Sequence, residues 1–261
     1  MIGHIRLLIG SFFLFLQNLF VFPKIDNIYS VKNDKKINEE ESEINEVFTL
    51  DKTIMSYNIH GGFDIKYNLN IDKIIEFINT NKSSIVCLQE VSNIEQFNYI
   101  KNKCNYKYTF LNKRNVILSN FEIKENVIVK FTDLNLYKKN ECIHSVLDIN
   151  GTNLNLFNIH FTSDITGFKQ MNEKEDLNRY IKNNNITDFI LIGDTNSIEL
   201  FERNDALLEY KKMSVGKTYP SILPLLKLDK FYYKGLEIIE SYRNPNIKYS
   251  DHLPINLVFK L

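Results

Sequence analysis

Residues 189–196 read Phe189-Ile190-Leu191-Ile192-Gly193-Asp194-Thr195-Asn196, an apolar run that passes directly into polar residues. Four consecutive large apolar side chains indicate a strand buried on both faces, because a half-exposed strand would alternate apolar with polar residues. In open α/β sheets, ligands bind at the edge where such strands end. This stretch therefore predicts a sheet that is covered on both sides and carries polar chemistry at one edge.

The rest of the chain repeats this arrangement. Further strands are predicted at residues 54–59, 84–89, 116–119, 126–131, 144–149, 154–159, 228–233 and 255–259. Ile71, Ile74, Ile75 and Ile78 lie at helical spacing and predict an amphipathic helix, and a polar helix is predicted around residues 170–182. Many strands with few interspersed helices favour an α/β sandwich over a regularly alternating barrel.

Polar residues stand at or next to the ends of five predicted strands. They are Asn58 and His60, Glu90, His160, Asp194 and Asn196, and Asp251 and His252. Each fragment has an ordinary alternative, since an Asp-His pair is more often a turn or cap and Gly-Asp-x-Asn suits an Asx turn. Polar groups beside strongly apolar strands are nevertheless costly to bury unless they are paired or bind a cation. The five fragments together therefore predict one convergent site.

These motifs resemble the endonuclease/exonuclease/phosphatase superfamily, which includes pancreatic deoxyribonuclease, apurinic endonucleases, neutral sphingomyelinases and inositol-polyphosphate 5-phosphatases. The resemblance covers about residues 52–259. It rests on Ser-Tyr-Asn58-Ile-His60, Leu-Gln-Glu90-Val, Val-Ile-Leu-Ser119, Asn-Ile-His160-Phe, Gly-Asp194-Thr-Asn196, Lys-Thr218-Tyr-Pro220, Leu-Asp229-Lys-Phe and Ser-Asp251-His252-Leu-Pro. It implies a four-layered α/β/β/α sandwich of two packed mixed β-sheets flanked by helices, with the site at one edge of the sheets.

The resemblance also implies phosphodiester hydrolysis that uses Mg²⁺ or Mn²⁺. Glu90 is then the principal metal ligand, with Asn58 beside it and Asp251 completing the site. Asp194 and Asn196 orient the water and bind the phosphate. His252, held by Asp229, acts as general base or as a positively charged clamp, and His160 contacts a phosphate oxygen or serves the leaving group.

Two features of this chain depart from the family pattern or leave a role open. Many relatives carry Arg or Tyr just before the strand that here begins near His144, where this chain has Glu141-Cys142-Ile143. We expect Arg114 or His144 to supply the missing phosphate contact. The role of His60 stays open between a site residue and a turn residue.

Composition limits the substrate only weakly. The 32 basic and 32 acidic side chains cancel, so nucleic acid could bind through a local patch but not through bulk charge. The local candidate is Lys101, Lys103, Lys107, Lys113 and Arg114 interleaved with Tyr106, Tyr108 and Phe110. A solvated, partly aromatic loop is the favoured interpretation of that patch. The first hypothesis is a nuclease, the second a lipid or inositol-phosphate phosphoesterase, and the third a non-catalytic, membrane-anchored binding module of the same fold.

The 261 residues, 44% hydrophobic and 25% charged, are typical of a folded domain. We predict a hydrophobic signal anchor or signal peptide at residues 1–23, an acidic polar linker at 24–50 and the catalytic domain at 51–261. Cys87, Cys104 and Cys142 lack C-x-x-C spacing and are expected to be buried apolar residues. No sequence feature indicates an obligate protein partner.

Residues 7–22 carry no charge and are rich in Phe and Leu, which predicts a membrane-directed segment. As a helix they would span about 24 Å, slightly less than the roughly 30 Å hydrocarbon layer. The segment lacks an A-x-A cleavage pattern, so an uncleaved anchor is favoured over a signal peptide. A buried core helix is the third interpretation. Arg6 precedes the segment and acidic residues follow it, which predicts a catalytic domain on the non-cytoplasmic side or secreted.

Overall fold

The structure, a computed structural model, describes residues 52–132, 141–164, 167–198, 206–213 and 215–261. The predicted anchor at 1–23 and linker at 24–50 lie outside these residues. Lys52–Leu261 forms one compact unit. Its strands are β1 (Thr53–Asn58), β2 (Ile85–Gln89), β3 (Tyr108–Asn112), β4 (Asn115–Ser119), β5 (Glu122–Lys130), β6 (Glu141–Ile149), β7 (Thr152–His160), β8 (Phe189–Asp194), β9 (Lys211–Met213), β10 (Asp229–Lys234), β11 (Glu237–Arg243) and β12 (Ile255–Lys260). Its helices are α1 (Ile71–Asn81), α2 (Ile94–Lys103) and α3 (Phe168–Asn183), with 3-10 turns at His60–Gly62 and Ala206–Glu209.

The described strands form two six-stranded mixed sheets. The first has the order β11-β12-β1-β2-β4-β3 and the second the order β5-β6-β7-β8-β10-β9. β1 pairs parallel with β2, and β7 pairs parallel with β8. Parallel strands end at the same edge, so the polar residues after β1 and β2 lie together, as do those after β7 and β8.

Three apolar clusters separate four layers. Alternate residues of β8 show the division, since Ile190 and Ile192 belong to the cluster between the sheets whereas Phe189 and Leu191 belong to the cluster under α3. A third cluster joins Ile74 and Ile78 of α1 to the outer face of the first sheet. The continuous apolar run of β8 is explained by this burial on both faces, and the predicted α/β/β/α sandwich is confirmed.

A buried polar bridge connects the two sheets. Gln89 Nε2 donates to Asn158 Oδ1 at 2.8 Å, and Asn158 Nδ2 donates to the carbonyl oxygens of Val116 and Leu88 at 2.9 and 3.1 Å. Gln89 Nε2 also donates to Ser56 Oγ at 3.0 Å. Buried polar groups are costly unless they are hydrogen-bonded, so this network favours one alignment of the sheets.

Several elements differ from the sequence prediction. The polar helix expected around 170–182 is α3, at Phe168–Asn183. The sequence prediction missed α2 and the strands β3, β9 and β11. The three cysteines are free and buried, as expected. Among the described helices, none is both long and apolar enough to cross a bilayer.

Candidate active site

The inward-facing positions of several strands change from apolar to polar at the same edge, which we call the site edge. On β8, Ile190 and Ile192 face the other sheet, and Asp194 is the next residue of that alternation. The same alternation places polar residues at or near the ends of three other strands, namely Asn58, Gln89, Asn158 and His160. The site thus lies at the open edge of the layer between the sheets.

Glu90 follows β2 in a left-handed backbone conformation, with φ of 60°. Its carboxylate accepts a hydrogen bond from Asn58 Nδ2 at 3.2 Å and lies 3.3 Å from Arg114 and 3.6 Å from His160 Nε2. Burial acts to raise the pKa of Glu90, but the charges of His160 and Arg114 outweigh it and lower the pKa to about 2. Glu90 is therefore ionised at neutral pH.

Asp194 is almost fully buried at the end of β8. Its Oδ2 accepts from Asn58 Nδ2 at 3.1 Å and lies 3.6 Å from His252 Nε2 and 3.8 Å from His160 Nε2. Burial raises the pKa of Asp194 above its ordinary value, although His252 opposes this. The side-chain amide of Asn58 therefore donates to a carboxylate from each sheet, Glu90 and Asp194. His160 lies near both carboxylates, and His252 lies near Asp194.

Asp229 and His252 form a buried pair. His252 Nδ1 lies 2.9 Å from Asp229 Oδ2, and Asp229 stands opposite Asp194 in the register of β10 and β8. Burial acts to lower the pKa of His252, but Asp229 and Asp194 outweigh it and raise the pKa well above 6.5. The Tyr219 ring lies over the imidazole with centroids 4.9 Å apart. The imidazolium is thus the favoured form at neutral pH.

Asp251 brings the loop before β12 to the same edge. Ser250 Oγ donates to the carbonyl oxygen of Asn58 at 2.7 Å and lies 3.1 Å from Asp251 Oδ1. Burial raises the pKa of Asp251; His252 and His60 oppose this shift, while the nearby charge of Glu90 adds to it. His60 Nδ1 lies 3.9 Å from Asp251 Oδ1, so the structure brings His60 to the site. His60 also begins the 3-10 turn His60–Gly62, so it is both a turn residue and a neighbour of the site.

The loops after β7 and β8 are tied to each other and to α3. The backbone N–H of Asn196 donates to Asp194 Oδ1 at 2.8 Å, and Asn196 Nδ2 donates to the carbonyl oxygen of Phe161 at 2.9 Å. From α3, Gln170 Nε2 donates to the carbonyl oxygen of Asn196 at 3.0 Å. Glu173 accepts from the Thr162 hydroxyl at 2.5 Å and its backbone N–H at 2.8 Å. Sequence reasoning missed Gln170 and Glu173, because they lie on a helix outside every motif.

Arg114 and His144, the two candidates for the missing phosphate contact, have different surroundings. Arg114, in the hairpin between β3 and β4, lies beside Glu90 and is half exposed. His144 is stacked on Phe157 with centroids 4.4 Å apart, and its nitrogens lie 3.0 Å from the Tyr180 hydroxyl and 2.9 Å from Asn155. Its ring belongs to the layer under α3, because Phe157 faces outward there. The structure therefore leaves Arg114 as the candidate and places His144 outside the site.

The predicted basic patch does not form one surface. Lys113 and Arg114 lie in the β3–β4 hairpin, where Lys113 pairs with Glu141 at 3.1 Å. Lys103 lies at the end of α2, paired with Asp72 at 3.1 Å, and Lys107 just precedes β3 at the opposite end of that strand. The expected solvated loop is wrong, because α2 extends to Lys103 and Tyr108–Asn112 forms β3.

Among the residues that the structure describes at this edge, two groups have the chemistry to hold a cation. Glu90, Asp251 and Asn58 offer hard oxygen donors, and the two carboxylates are partly exposed, which suits Mg²⁺ with its retained waters. In this arrangement Asn58 turns Nδ2 toward Glu90 and Asp194, so its role as a ligand stays a prediction. Candidate ligand atoms of Asp194, Asp229 and His252 also lie within 4.8 Å of one another. That group is fully buried and already joined by the Asp229–His252 hydrogen bond, so the first group fits Mg²⁺ better.

An α/β/β/α sandwich with carboxylates and a carboxylate-bound histidine at one sheet edge defines a class of hydrolases. The model of the Endonuclease/Exonuclease/phosphatase family matches residues 55–252. The chain therefore belongs to this family, whose members are phosphoester hydrolases. A comparison with curated proteins found no match.

Solved structures share the fold at low sequence identity. A functionally unknown conserved protein from Enterococcus faecalis superposes with a TM-score of 0.67 at 15% identity, covering 80% of this chain and 99% of that one. The mannosyl-6-phosphatase of Bacteroides thetaiotaomicron gives 0.66 at 13% identity, with 80% and 99% covered. D. rerio TDP2 complexed with a single-strand DNA product gives 0.63 at 15% identity, with 80% and 98% covered. These similarities show the fold alone.

Proposed function

We propose that the chain is a divalent-metal-dependent phosphoesterase that hydrolyses phosphodiester bonds by attack of water, with nucleic acid as the first candidate substrate. One observation carries the proposal. His252 Nδ1–H donates to Asp229 Oδ2 at 2.9 Å, which leaves Nε2 3.6 Å from Asp194, and His160 also faces Asp194. An oriented histidine beside a buried carboxylate is the arrangement that phosphoryl transfer to water requires.

The proposed roles follow from charge and position. Asp194 accepts the proton of the attacking water, because burial raises its pKa and makes its carboxylate a stronger base. His252, as imidazolium, donates Nε2–H to a phosphoryl oxygen, so its elevated pKa favours the clamp over the general base. Asn196 orients Asp194 and offers its remaining amide hydrogen to the phosphate.

His160 and Arg114 complete the proposed set. His160 Nε2 lies between Glu90 and Asp194, where it can contact a phosphate oxygen or serve the leaving group. Arg114 reaches the same carboxylate from the first sheet and is proposed to bind a phosphate oxygen once substrate is present. Each sheet thus contributes one nitrogen-bearing side chain that faces the carboxylates of the site.

Glu90 and Asp251 would hold the cation, with Asn58 beside them. When bound, Mg²⁺ or Mn²⁺ would supply Lewis-acid stabilisation of negative charge on the phosphoryl and leaving oxygens. The low pKa of Glu90 keeps its carboxylate available as a ligand at neutral pH. The charge of Glu90 contributes to the raised pKa of Asp251, an electrostatic strain that a cation between them would relieve.

Two classes of substrate are candidates. Nucleic acid is supported by Arg114 at the pocket and by the fold shared with D. rerio TDP2, whose structure holds a single-strand DNA product. A lipid phosphodiester is the second candidate, favoured by the exposed side chains of Ile222, Leu223 and Leu225 near the site. We also propose, from the sequence of residues 1–23, that the protein is membrane-anchored with its catalytic domain on the non-cytoplasmic side, or secreted.

One experiment tests the function. Residues 52–261 contain both sheets, all three helices and all three apolar clusters of the described structure, so they can be produced alone. They are offered plasmid DNA, RNA, sphingomyelin and phosphoinositides, with Mg²⁺ or with chelator. DNA or RNA cleavage that requires Mg²⁺ is the expected result.

Other outcomes lead to different conclusions. Lipid cleavage without nucleic-acid cleavage would refute the nuclease, and no turnover of any substrate would favour the non-catalytic binding module. His252→Gln tests the proposed catalytic role of His252. His144→Gln is the control, because His144 is also buried but lies outside the site. Full activity of folded His252→Gln would remove His252 from the proposed mechanism.

A further inference from the structure

A loop beside the active site exposes apolar side chains to solvent. Ile222, Leu223 and Leu225 are 51%, 64% and 45% exposed, and they lie within residues 215–228, between β9 and β10. We call the surface formed by this loop and by residues 241–250, which are the end of β11 and the segment that follows it, the apolar rim. Single exposed apolar residues are normal, but three within four positions are a local patch.

Hydrogen bonds fix this loop, so the exposure is part of a defined conformation. The N–H groups of Leu225 and Leu226 both donate to the carbonyl oxygen of Tyr219 at 2.8 Å and close the loop. Ser221 attaches it to the catalytic loop, since its N–H donates to the carbonyl oxygen of Asp251 at 2.7 Å and its hydroxyl to that of Ser250 at 2.6 Å. The apolar tip is therefore held at a fixed position next to Asp251.

The charges of the apolar rim have one sign. Residues 215–228 contain Lys217 and Lys227 and no acid, and residues 241–250 contain Arg243 and Lys248 and no acid. Arg243, the last residue of β11, donates to the carbonyl oxygen of Lys217 and joins the two parts of the rim. Aliphatic side chains flanked by cations match a bilayer surface, where apolar groups enter the headgroup boundary and cations meet anionic lipids.

We propose that the apolar rim docks on the surface of a bilayer that contains anionic lipid. Other exposed apolar residues lie at the site edge, with Leu69 46% exposed after β1 and Phe168 61% exposed at the start of α3. Exposed aliphatic side chains on a loop flanked by cations suit insertion into an anionic headgroup layer. Docking through this rim turns the site edge toward the membrane.

This inference goes beyond the proposed phosphodiesterase activity, because it concerns the surface on which the domain is held and not the bond that is cleaved. The two can also fail separately. Vesicle binding is measured in the presence of chelator, without turnover, whereas activity is measured on a small soluble phosphodiester without vesicles.

The test uses residues 52–261, because residues 7–22 would bind vesicles by themselves. Sedimentation with vesicles of phosphatidylcholine mixed with phosphatidylserine should show binding of the unmodified domain. Leu223→Ser should reduce that binding roughly tenfold, because it removes one aliphatic side chain from the headgroup boundary. Lys217→Gln should weaken binding to these vesicles roughly fivefold and leave binding to pure phosphatidylcholine unchanged.

Leu261→Ser is the matched control, since Leu261 is also exposed but follows β12 at the end opposite the site edge. It should bind vesicles as the unmodified domain does. All variants should keep the same circular dichroism spectrum and the same turnover of the soluble diester. No vesicle binding by the unmodified domain, or equal loss in Leu223→Ser and Leu261→Ser, would overturn the inference. A concentration-dependent dimer that disappears in Leu223→Ser without vesicles would also overturn it and identify the rim as a protein contact.

Discussion

His252 and His144 are both buried, at 4% and 5% exposure, yet they have opposite electrostatic surroundings. Asp229 and Asp194 raise the pKa of His252, whereas burial lowers the pKa of His144 and outweighs the opposing effects of Asn155 and the charge of Glu125. Burial of a histidine therefore says little about function. The charges around the ring decide whether it carries a proton at neutral pH, and they separate the reactive edge of the sandwich from its outer layer.

The largest expected effect is on turnover. His252→Gln should lower kcat roughly a thousandfold, because it removes the cation that the mechanism places on the phosphate. His144→Gln should change kcat by less than about twofold, since its ring touches no proposed site residue. Steady-state kinetics on the identified substrate measure both. A comparable loss of kcat in folded His252→Gln and folded His144→Gln would contradict the assignment of His252 to the site and of His144 to the layer under α3.

The next effect is on metal binding. Glu90→Gln should weaken Mn²⁺ binding roughly a hundredfold, because it neutralises the carboxylate that is expected to stay ionised in the site. Glu141→Gln is the control, since Glu141 also carries a low pKa but is paired with Lys113. Electron paramagnetic resonance of free Mn²⁺ gives both affinities. Unchanged affinity of Glu90→Gln would exclude Glu90 as a ligand.

A smaller effect is expected from the helix that supports the site. Gln170→Ala should lower kcat roughly tenfold with little change in KM, because the loop carrying Asn196 loses its bond to α3. Asn178→Ala, on the same helix but bonded to Ala206 and Glu209, should leave kcat unchanged. If both variants lose only stability and keep full kcat, α3 does not position the site.

The two histidines should also give opposite pH dependences of stability. The folded-state pKa of His252 lies above its unfolded value near 6.5. The stabilisation that protonated His252 adds to the free energy of unfolding is therefore complete below pH 6.5, and it is lost as the pH rises through the folded-state pKa. The folded-state pKa of His144 lies below 6.5, so the unfolded chain binds the proton more readily and stability falls as pH drops below 6.5. Urea unfolding of His252→Gln and His144→Gln against the unmodified domain measures both slopes. Slopes of the same sign would contradict the assigned surroundings.

The smallest effect is expected at Arg114. Arg114→Ala should raise KM roughly threefold with kcat little changed, because this half-exposed side chain is only one of several phosphate contacts. Lys103→Ala, at the other part of the divided basic patch, should leave KM unchanged. Turnover and KM identical to those of the unmodified domain would remove Arg114 from the site.

Strong apolar patterns made most of the fold predictable from sequence. Strands buried on both faces, such as β8, and the isoleucine-rich helix α1 carry unambiguous signals. The missed strands β3 and β11 lie at sheet edges, and β9 lies beside β10 at an edge of the second sheet. The edge strand β11 has no regular alternation of apolar and polar residues and so resembles a loop in sequence. The missed helix α2 buries only Gln96, Phe97 and Ile100, which is too few for a helical period.

The site was predictable to the extent that strand ends determine it. The sequence predicts Asn58, Glu90, His160 and Asp194 together because they stand at the ends of apolar strands. The structure brings them together through the parallel pairs β1–β2 and β7–β8. The supporting contacts of Gln170 and Glu173 were not predictable, because they depend on how α3 docks. His144 misled the sequence prediction, since a histidine in a strand gives no sign of which face it occupies or what surrounds it.

The buried Gln89–Asn158 bridge has a consequence for tolerance to mutation. Apolar interfaces accept many shapes, so substitutions among the aliphatic residues between the sheets would be expected to let one layer slide slightly over the other. A polar contact with fixed partners resists such sliding, since a small slip would leave the side-chain amides of Gln89 and Asn158 without their hydrogen-bond partners in a buried interior. The halves of the pocket can therefore stay aligned while the surrounding hydrophobic sequence drifts, which would allow relatives to diverge widely in their cores and keep the same chemistry.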